Sequence, residues 1–223
     1  MRYREVSRIE GFSDAVLGFA LTLLVVQLEV PKDTAGLRDL VRGSVPFAVS
    51  FAMICYIWWE HNKFFRRYGL QDAWTAFLNC VLLFVVVFYV YPLKYLSNVL
   101  LGPNAFPAGW DGRYVMQVYS FGLLAIFAVF VLLYRHAFAR REPLALDPAE
   151  LVTLRFNKRA HLISLTLALV SVALAFSLPH DWVPISGIIW GLMGPLHAWN
   201  GIRMHRALTK LEPAQPVPVE SNA

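Results

Sequence analysis

The chain of 223 residues is 57% hydrophobic and 14% aromatic, and only 16% of its residues are charged, whereas a soluble domain carries about 25% charged residues. So few charged residues cannot cover the surface of a water-soluble globule, and the composition instead predicts an all-α protein of membrane-spanning helices. The formal net charge of +5 does not indicate a nucleic-acid partner, because the basic residues form short runs between apolar segments, as they do in loops beside anionic lipid.

Taken in chain order, six apolar segments are long enough to predict six transmembrane helices, since a span needs roughly 20 apolar residues. We expect the spans at about 11–30, 44–59, 73–91, 114–134, 162–178 and 183–199. Pro31, Pro92 and Pro179 are predicted to end the first, third and fifth spans, because proline cannot continue the backbone hydrogen bonding of a helix.

The segments between the spans are predicted as follows. The stretch from Pro31 to about Gly43 is a short loop of mixed charge. The sequence Asp147-Pro148-Ala149-Glu150 predicts a helix start that can run directly into the fifth span. Residues 1–211 form one transmembrane domain, and the proline-rich tail 212–223 is predicted to be disordered.

The distribution of basic residues predicts the orientation. With the N-terminus inside, the inner segments hold Arg2, Arg4, Arg8, Lys63, Arg66, Arg67, Arg135, Arg140, Arg141, Arg155, Lys158, Arg159, Arg203, Arg206 and Lys210. The outer segments hold Lys32, Arg38, Arg42, Lys94 and Arg113. Since cytoplasmic loops carry the excess of Lys and Arg, this asymmetry favours six spans with both termini in the cytoplasm.

The first span has two distinct faces on a helical wheel. One face is formed by Phe12, Ala15, Phe19, Thr22, Val26 and Glu29, and the other by Leu17, Leu21, Leu24 and Leu28. If several copies of this helix surround an axis, the first face forms hydrophobic rings, a ring of hydroxyls and a ring of acidic side chains, which can attract and gate cations. A chain has one such helix, so a pore requires a symmetric oligomer. Ordinary helix packing without a pore explains the same pattern.

Ser13 and Asp14 are polar residues about one turn inside the first span. Asp14 either caps the helix start at the level of the lipid headgroups or joins a buried polar cluster inside the membrane. The candidate members of such a cluster are Arg8, Ser13, Asp14, Trp58, His61 and Asn79. The sequence leaves both alternatives open.

Three groups of residues carry a resemblance to a known family: R-x3-F-S-D at Arg8, Phe12, Ser13 and Asp14; T-L-L-V at Thr22 to Val25 followed by Val30-Pro31; and W-x2-H at Trp58 and His61, with Asn79 and Pro92. The pattern resembles the transmembrane protein 175 family, the endolysosomal potassium channels and their bacterial and archaeal relatives. The similarity covers the first three spans, whereas the last three match only in number, length and the long inner loop.

The resemblance implies a homotetrameric potassium channel whose first helices line the pore, with no re-entrant carbonyl filter. Carried over by position, Phe19 forms the narrowest ring, Thr22 supplies the hydroxyl linked to potassium preference, and Leu23 or Val26 forms the next ring. Glu29 lies at the outer mouth. The residues of the F-S-D motif and the second-span histidine are then structural. Phe19 departs from the family pattern, in which an Ile or Leu is usual.

A channel is not the only class of membrane protein that the sequence allows. A proton-coupled cation transporter, with Asp14 or Glu29 as proton carrier, is the alternative. Motifs of an enzyme are absent from the sequence, and no cofactor or metal is expected; Cys55 and Cys80 are predicted to be buried apolar residues. The expected partners are further copies of the chain, membrane lipid and monovalent cations, in a prokaryotic plasma membrane.

Overall fold

The computed structural model describes residues 7–26, 30–101 and 111–211, and within these ranges every regular element is helical. The α-helices are α1 (Arg8–Val26), α2 (Thr34–Arg42), α3 (Ser44–Tyr68), α4 (Ala73–Leu101), α5 (Gly112–Ala139), α6 (Pro148–Ser177), α7 (Ile185–Ile188) and α8 (Met193–Thr209). The prediction of an all-α fold is confirmed. The prediction of a disordered tail at 212–223 concerns residues outside the described part of the chain.

Four helices, α1, α4, α5 and α6, are long and apolar enough to cross a membrane. The pair α2 and α3, bent by 43° at its break, passes the same test when taken as one span. The described residues thus contain four or five candidate spans. Six spans with cytoplasmic termini stay a prediction.

The predicted sixth span, 183–199, is not one continuous α-helix. A 3₁₀ turn at His180–Trp182 precedes α7, and a second 3₁₀ segment, Ile189–Leu192, separates α7 from α8. Pro195 has no backbone N–H to donate to the carbonyl of residue 191, so the i→i−4 pattern of an α-helix cannot pass through this point unbroken. The proline lies in the first turn of α8, where such donors have no partner within the helix anyway.

The prediction that Pro92 ends the third span was wrong. Pro92 lies inside α4, which continues for nine further residues to Leu101. An internal proline costs about 3 kcal/mol or more, but the turns beyond it bury apolar side chains, each stabilising by about 1.5–3 kcal/mol. These buried side chains are Leu93, Leu96 and Val99.

The predicted loop between the first two spans contains the short helix α2, so that prediction was also wrong. Asp33 caps α2, because its carboxylate accepts a hydrogen bond from the backbone N–H of Gly36 at 2.7 Å. The helix buries none of its side chains, and its apolar residues Leu37 and Val41 are exposed. A capping aspartate before a nine-residue helix was the signal that sequence reasoning missed.

The start of α6 is confirmed as predicted. The Asp147 carboxylate accepts from the N–H of Glu150 at 2.7 Å, and the Glu150 carboxylate accepts from the N–H of Asp147 at 3.1 Å. This reciprocal capping box satisfies two backbone donors, and Pro148 occupies the first helical position. The helix then runs without a break through the predicted fifth span.

The packing follows the chain order. Helix α1 packs on α3 and α4, α4 packs on α5, α5 on α6, and α6 on α8. Where α3 and α5 end, aromatic rings fill the core, with Phe64 and Tyr134 in an edge-on contact at 5.1 Å between ring centroids. The prediction that both cysteines are buried was wrong: Cys55 is partly exposed and Cys80 is exposed on α4.

Asp72 joins the short loop before α4 to the end of α5. Its carboxylate accepts hydrogen bonds from Thr75 and, at 3.0 Å, from Nε2 of His136. Partial burial raises the pKa of Asp72, but the hydrogen bonds from His136 and Thr75 outweigh it and lower the pKa to about 2. The carboxylate therefore stabilises the fold fully above its ordinary pKa of 3.8 and loses this contribution as the pH falls toward 2.

Gly122 allows the close approach of α5 to α4. A Cβ atom at this position would lie 2.0 Å from the ring of Tyr89, whose hydroxyl donates to the carbonyl of Tyr119 at 2.7 Å. We expect Gly122→Ala to lower the free energy of unfolding by about 1–3 kcal/mol, because the ring must move and strain the packing. Thermal unfolding of the detergent-purified protein measures this.

Gly201→Ala in α8 is the matched control, since a Cβ there meets nothing within 4 Å. That variant should be unchanged or more stable by about 0.5–1 kcal/mol, as alanine favours a helix. A Gly122→Ala protein as stable as the Gly201→Ala protein would contradict the packing role of Gly122.

Candidate functional site

The start of α1 is set by a capping box that sequence reasoning missed. Ser7 Oγ accepts from the N–H of Glu10 at 3.2 Å, and the Glu10 carboxylate accepts from the N–H of Ser7 at 2.9 Å. The S-x-x-E spacing is the sequence signature of this cap. Because Ser7 and Glu10 cap the helix, the alternative in which Asp14 is the cap was wrong.

Helix α1 has one buried face and one exposed face. Leu17, Ala20 and Leu24 are almost completely buried against the rest of the chain. Phe12, Ala15, Phe19, Thr22 and Val26, the predicted pore-lining face, are all exposed. Phe19 exposes 57% and Val26 79% of its surface, so a helix apolar enough to cross a membrane presents a whole apolar face to its surroundings.

Thr22 is the one hydroxyl on the exposed face. Its Oγ1 donates its proton to the backbone carbonyl of Phe19 at 2.7 Å. The lone pairs of the oxygen remain available on the exposed side, since a hydroxyl has two acceptor positions besides its single proton. Leu23 is only partly exposed, and Glu29 falls outside the described residues.

A chain of hydrogen bonds lies behind this face and joins three helices. Nε2 of His61 on α3 donates to Oδ1 of Asn79 on α4 at 2.8 Å, and Nδ2 of Asn79 donates to Oγ of Ser13 at 2.9 Å. Ser13 then donates to the carbonyl of Ile9 in its own helix at 2.7 Å. All three side chains are buried, so the network holds α1, α3 and α4 in one arrangement.

Asp14 belongs to the same junction but is less buried. Its carboxylate accepts from the indole N–H of Trp58 on α3 at 2.8 Å. The structure therefore brings together five of the predicted network residues: Ser13, Asp14, Trp58, His61 and Asn79. Phe12 and Arg8 are exposed, and no hydrogen bond or ion pair joins Arg8 to Asp14 in the described part of the chain.

A second buried polar group was not predicted. Glu60 on α3 is paired with Nζ of Lys63 at 2.6 Å and lies 3.3 Å from Nε2 of His161 on α6. The imidazole of His161 stacks on the rings of Phe130 and Tyr134 of α5, with centroids 4.8 and 4.9 Å apart. The available sequence signal was Glu60 itself, a carboxylate that directly follows the aromatic end of the predicted second span. The group links α3 to α6.

Comparison with known proteins confirms the resemblance seen in the motifs. Residues 8–89 match the family model described as endosomal/lysosomal potassium channel TMEM175. A potassium channel from Marivirga tractuosa is 35% identical over 214 residues, which cover 87% of this chain and 86% of the relative. A potassium channel from Chamaesiphon minutus is 32% identical, covering 77% of this chain and 88% of its own.

Two solved structures share the fold. A crystal structure of a variant of the potassium channel MtTMEM175 superposes with a TM-score of 0.79 at 32% identity, covering 92% of this chain and 96% of that one. A homologue, from Chamaesiphon minutus, of the lysosomal potassium-selective channel TMEM175 gives a TM-score of 0.60 at 27% identity over 91% of this chain and 99% of its own.

The network behind α1 is expected to stabilise the helix junction. In the Asn79→Leu variant, Nε2 of His61 loses its acceptor inside the protein, which costs about 1–3 kcal/mol. We expect a lower thermal midpoint for the detergent-purified protein. Cys80→Ala, at the next and exposed position of α4, is the control and should change the free energy of unfolding by no more than about 0.5 kcal/mol. Equal stability of the two variants would exclude this role.

Proposed function

We propose that this chain, which belongs to the TMEM175 family, forms a potassium-selective cation channel. In this proposal four copies assemble around an axis, and α1 of each copy lines the pore. Selectivity arises from rings of side chains, without a carbonyl filter. The family and the relatives named above are channels, so no catalytic activity is indicated.

The observation that carries the proposal is the exposed face of α1. In this proposal the exposed apolar face of α1 is turned to the pore and not to lipid, and the hydroxyl on that face belongs to Thr22. Its hydroxyl proton is used within the helix, so its oxygen can serve as a ligand for a cation arriving from the exposed side. In this proposal, a ring of such oxygens lies between rings of Phe19 and Val26 and forms a narrow, mostly dry passage.

The polar junction supports the same orientation of α1. Ser13 faces α4 through Asn79, and Asp14 faces α3 through Trp58. These bonds lie on the side of α1 opposite to Phe12 and Phe19, so they hold the helix with its exposed face turned away from its own chain. In this proposal Asp14 holds α1 against α3 through Trp58 and does not carry protons.

The surface next to α1 also suits assembly. A groove of about 700 Å³ between α1 and α4 is lined by apolar and aromatic side chains, including Phe12, Val16, Phe84, Phe88 and Tyr91. In the proposed assembly, a neighbouring copy covers this groove. Rotational symmetry is the common way to close such an assembly.

The remaining parts of the proposal come from the sequence pattern. Glu29 is placed at the outer mouth, where a ring of carboxylates concentrates cations. Both termini are placed in the cytoplasm and the protein in the plasma membrane, because the Lys and Arg residues concentrate in the segments assigned to the inner side.

Flux through purified protein in liposomes tests the function. We expect a potassium current that does not saturate at low concentration and needs no proton gradient, together with a particle of fourfold symmetry. Saturating flux that requires a pH gradient would instead support a proton-coupled transporter, and a monomeric particle would end the proposal of a pore lined by α1.

Thr22→Ala tests the selectivity ring. Removing four hydroxyl ligands should lower the potassium-over-sodium permeability ratio by about fivefold or more, since even one lost polar contact to a charge costs roughly 1.5–3 kcal/mol. Reversal potentials in mixed salts measure the ratio. Thr166→Ala is the control, because the Thr166 hydroxyl is also exposed and also donates to a carbonyl of its own helix, that of Leu162 at 2.9 Å. An identical ratio in both variants would remove Thr22 from the site.

Asp14→Ala tests whether Asp14 contributes to assembly and not to ion selectivity. The variant leaves the indole N–H of Trp58 without its acceptor, so we expect a smaller assembled fraction in size-exclusion chromatography and an unchanged permeability ratio in the channels that form. Trp58→Phe should have the same effect, and the double variant should be no worse than either single one. Fully assembled but non-selective Asp14→Ala channels would assign Asp14 to the ion path.

A further inference from the structure

The inner ends of α6 and α8 form a basic surface that the channel mechanism does not use. Helix α8 (Met193–Thr209) has no acidic residue, and Glu150 is the one acidic residue of α6. The basic residues on these two helix ends are Arg155, Lys158, Arg159, Arg203 and Arg206. A surface of one sign attracts ligands of the opposite sign.

Trp199 is at the centre of this surface. The guanidinium of Arg159 on α6 lies 4.6 Å from the centroid of the indole, and that of Arg203 on α8 lies 4.9 Å from it. The ring is 45% exposed. Two cations from different helices thus share one aromatic ring, and contact with the ring orders both guanidinium groups.

The backbone under these side chains is fixed by partly buried polar contacts between α6 and α8. Ser164 Oγ and His197 Nε2 are 2.9 Å apart, and Nδ2 of Asn200 donates to the carbonyl of Phe156 at 3.0 Å. Asn200 is buried next to Trp199 in the sequence. The relative position of Arg159 and Arg203 is therefore set by the helix packing, not by chance contacts of two long side chains.

Among the described residues, no carboxylate neutralises the charges at Trp199. The ion pairs found among the described residues include neither Arg159 nor Arg203. Phe138 provides a contrast on the same side of the bundle. Arg141 and Lys158 lie 5.0 and 4.4 Å from its ring, but Arg141 is 3.7 Å from the carboxylate of Glu142.

The position relative to the membrane indicates what supplies the missing negative charge. Trp199 ends the predicted sixth span, and Arg159 precedes the predicted fifth span by three residues, so all three side chains lie at the depth of the lipid headgroups. Tryptophan is enriched at this depth, and guanidinium groups bind phosphate through paired hydrogen bonds. Each basic residue near an anionic leaflet contributes roughly a fivefold factor in affinity.

We propose that Arg159, Trp199 and Arg203 form a binding site for the phosphate of an anionic phospholipid in the leaflet at the inner ends of α6 and α8. The two guanidinium groups hold the phosphate, and the exposed part of the indole lies against the glycerol and the first methylene groups of the lipid. The site depends on the sequence prediction that the fifth and sixth spans cross the membrane, but not on ion selectivity.

The test uses the full-length protein purified in a neutral detergent and titrated with phosphatidylglycerol in mixed micelles. The lipid dependence of the thermal midpoint gives an apparent affinity. Phosphatidylcholine and inorganic phosphate are titrated in parallel. We expect phosphatidylglycerol to bind more tightly than both, and the double variant Arg159→Gln/Arg203→Gln to bind it on the order of 30-fold more weakly.

Arg141→Gln is the matched control, since its guanidinium lies on an aromatic ring at the same side but is paired with Glu142; its affinity should stay within about twofold of the wild type. Should the double glutamine variant fail to fold, Arg159→Lys/Arg203→Lys keeps the charge but loses the planar fork, and should bind about fivefold more weakly. Equal stabilisation by phosphatidylglycerol and phosphatidylcholine would overturn the proposal. So would an affinity for phosphatidylglycerol that is equal in the wild type and in the double variants of Arg159 and Arg203. Inorganic phosphate as effective as the lipid would overturn it as well.

Potassium flux in phosphatidylcholine liposomes separates this inference from the proposed function. The arginine variants should conduct like the wild type there, because neither residue lies near α1. A wild-type protein that conducts potassium but does not prefer anionic lipid would contradict the lipid site alone. A protein that prefers anionic lipid but carries no current would contradict the channel proposal alone.

Discussion

The interaction on which the structure depends is the hydrogen-bond chain from His61 through Asn79 to Ser13. Polar groups inside a membrane have no water to bind, so each must find its partner within the protein. These three side chains satisfy one another across α3, α4 and α1. A rotation of α1 about its axis would break the chain and leave buried polar groups unpaired, and the resulting cost fixes which face of α1 is turned outward.

The two halves of the chain are joined in a different way. The match to the TMEM175 family covers residues 8–89, the helices α1 to α4 that contain the polar junction. The helices α5 to α8 are held to this part by the apolar packing of α4 on α5 and by the contact of Glu60 with His161. The half that matches the family model thus holds the exposed face of α1, and the other half packs behind it and presents the basic surface at Trp199.

Much of this arrangement could be predicted from the sequence because it depends on local patterns. Apolar periodicity separated the buried and exposed faces of α1, and the Asp147–Glu150 cap was readable from four residues. The errors arose where tertiary packing outweighed a local rule. Pro92 did not end α4 because the turns beyond it are buried against α5, and Pro195 divided a segment that hydropathy alone joins into one helix. The partnership of Glu60 and His161 could not be predicted, because the residues are a hundred positions apart and neither belongs to a recognisable spacing.

Phe19 shows how the fold and the proposed pore constrain each other. Its carbonyl accepts the proton of Thr22, so the residue proposed for the narrowest ring also orients the hydroxyl proposed to meet the ion. A branched aliphatic side chain at this position would be compact and nearly fixed, whereas a phenylalanine side chain is larger and can swing about its first torsion angle. In the proposed tetramer, the exposed face leaves room for such movement, so the width of the passage depends on how neighbouring copies confine the four rings. The Ser13 junction holds the backbone of α1, so in this proposal the Thr22 oxygens keep their positions while the Phe19 rings move.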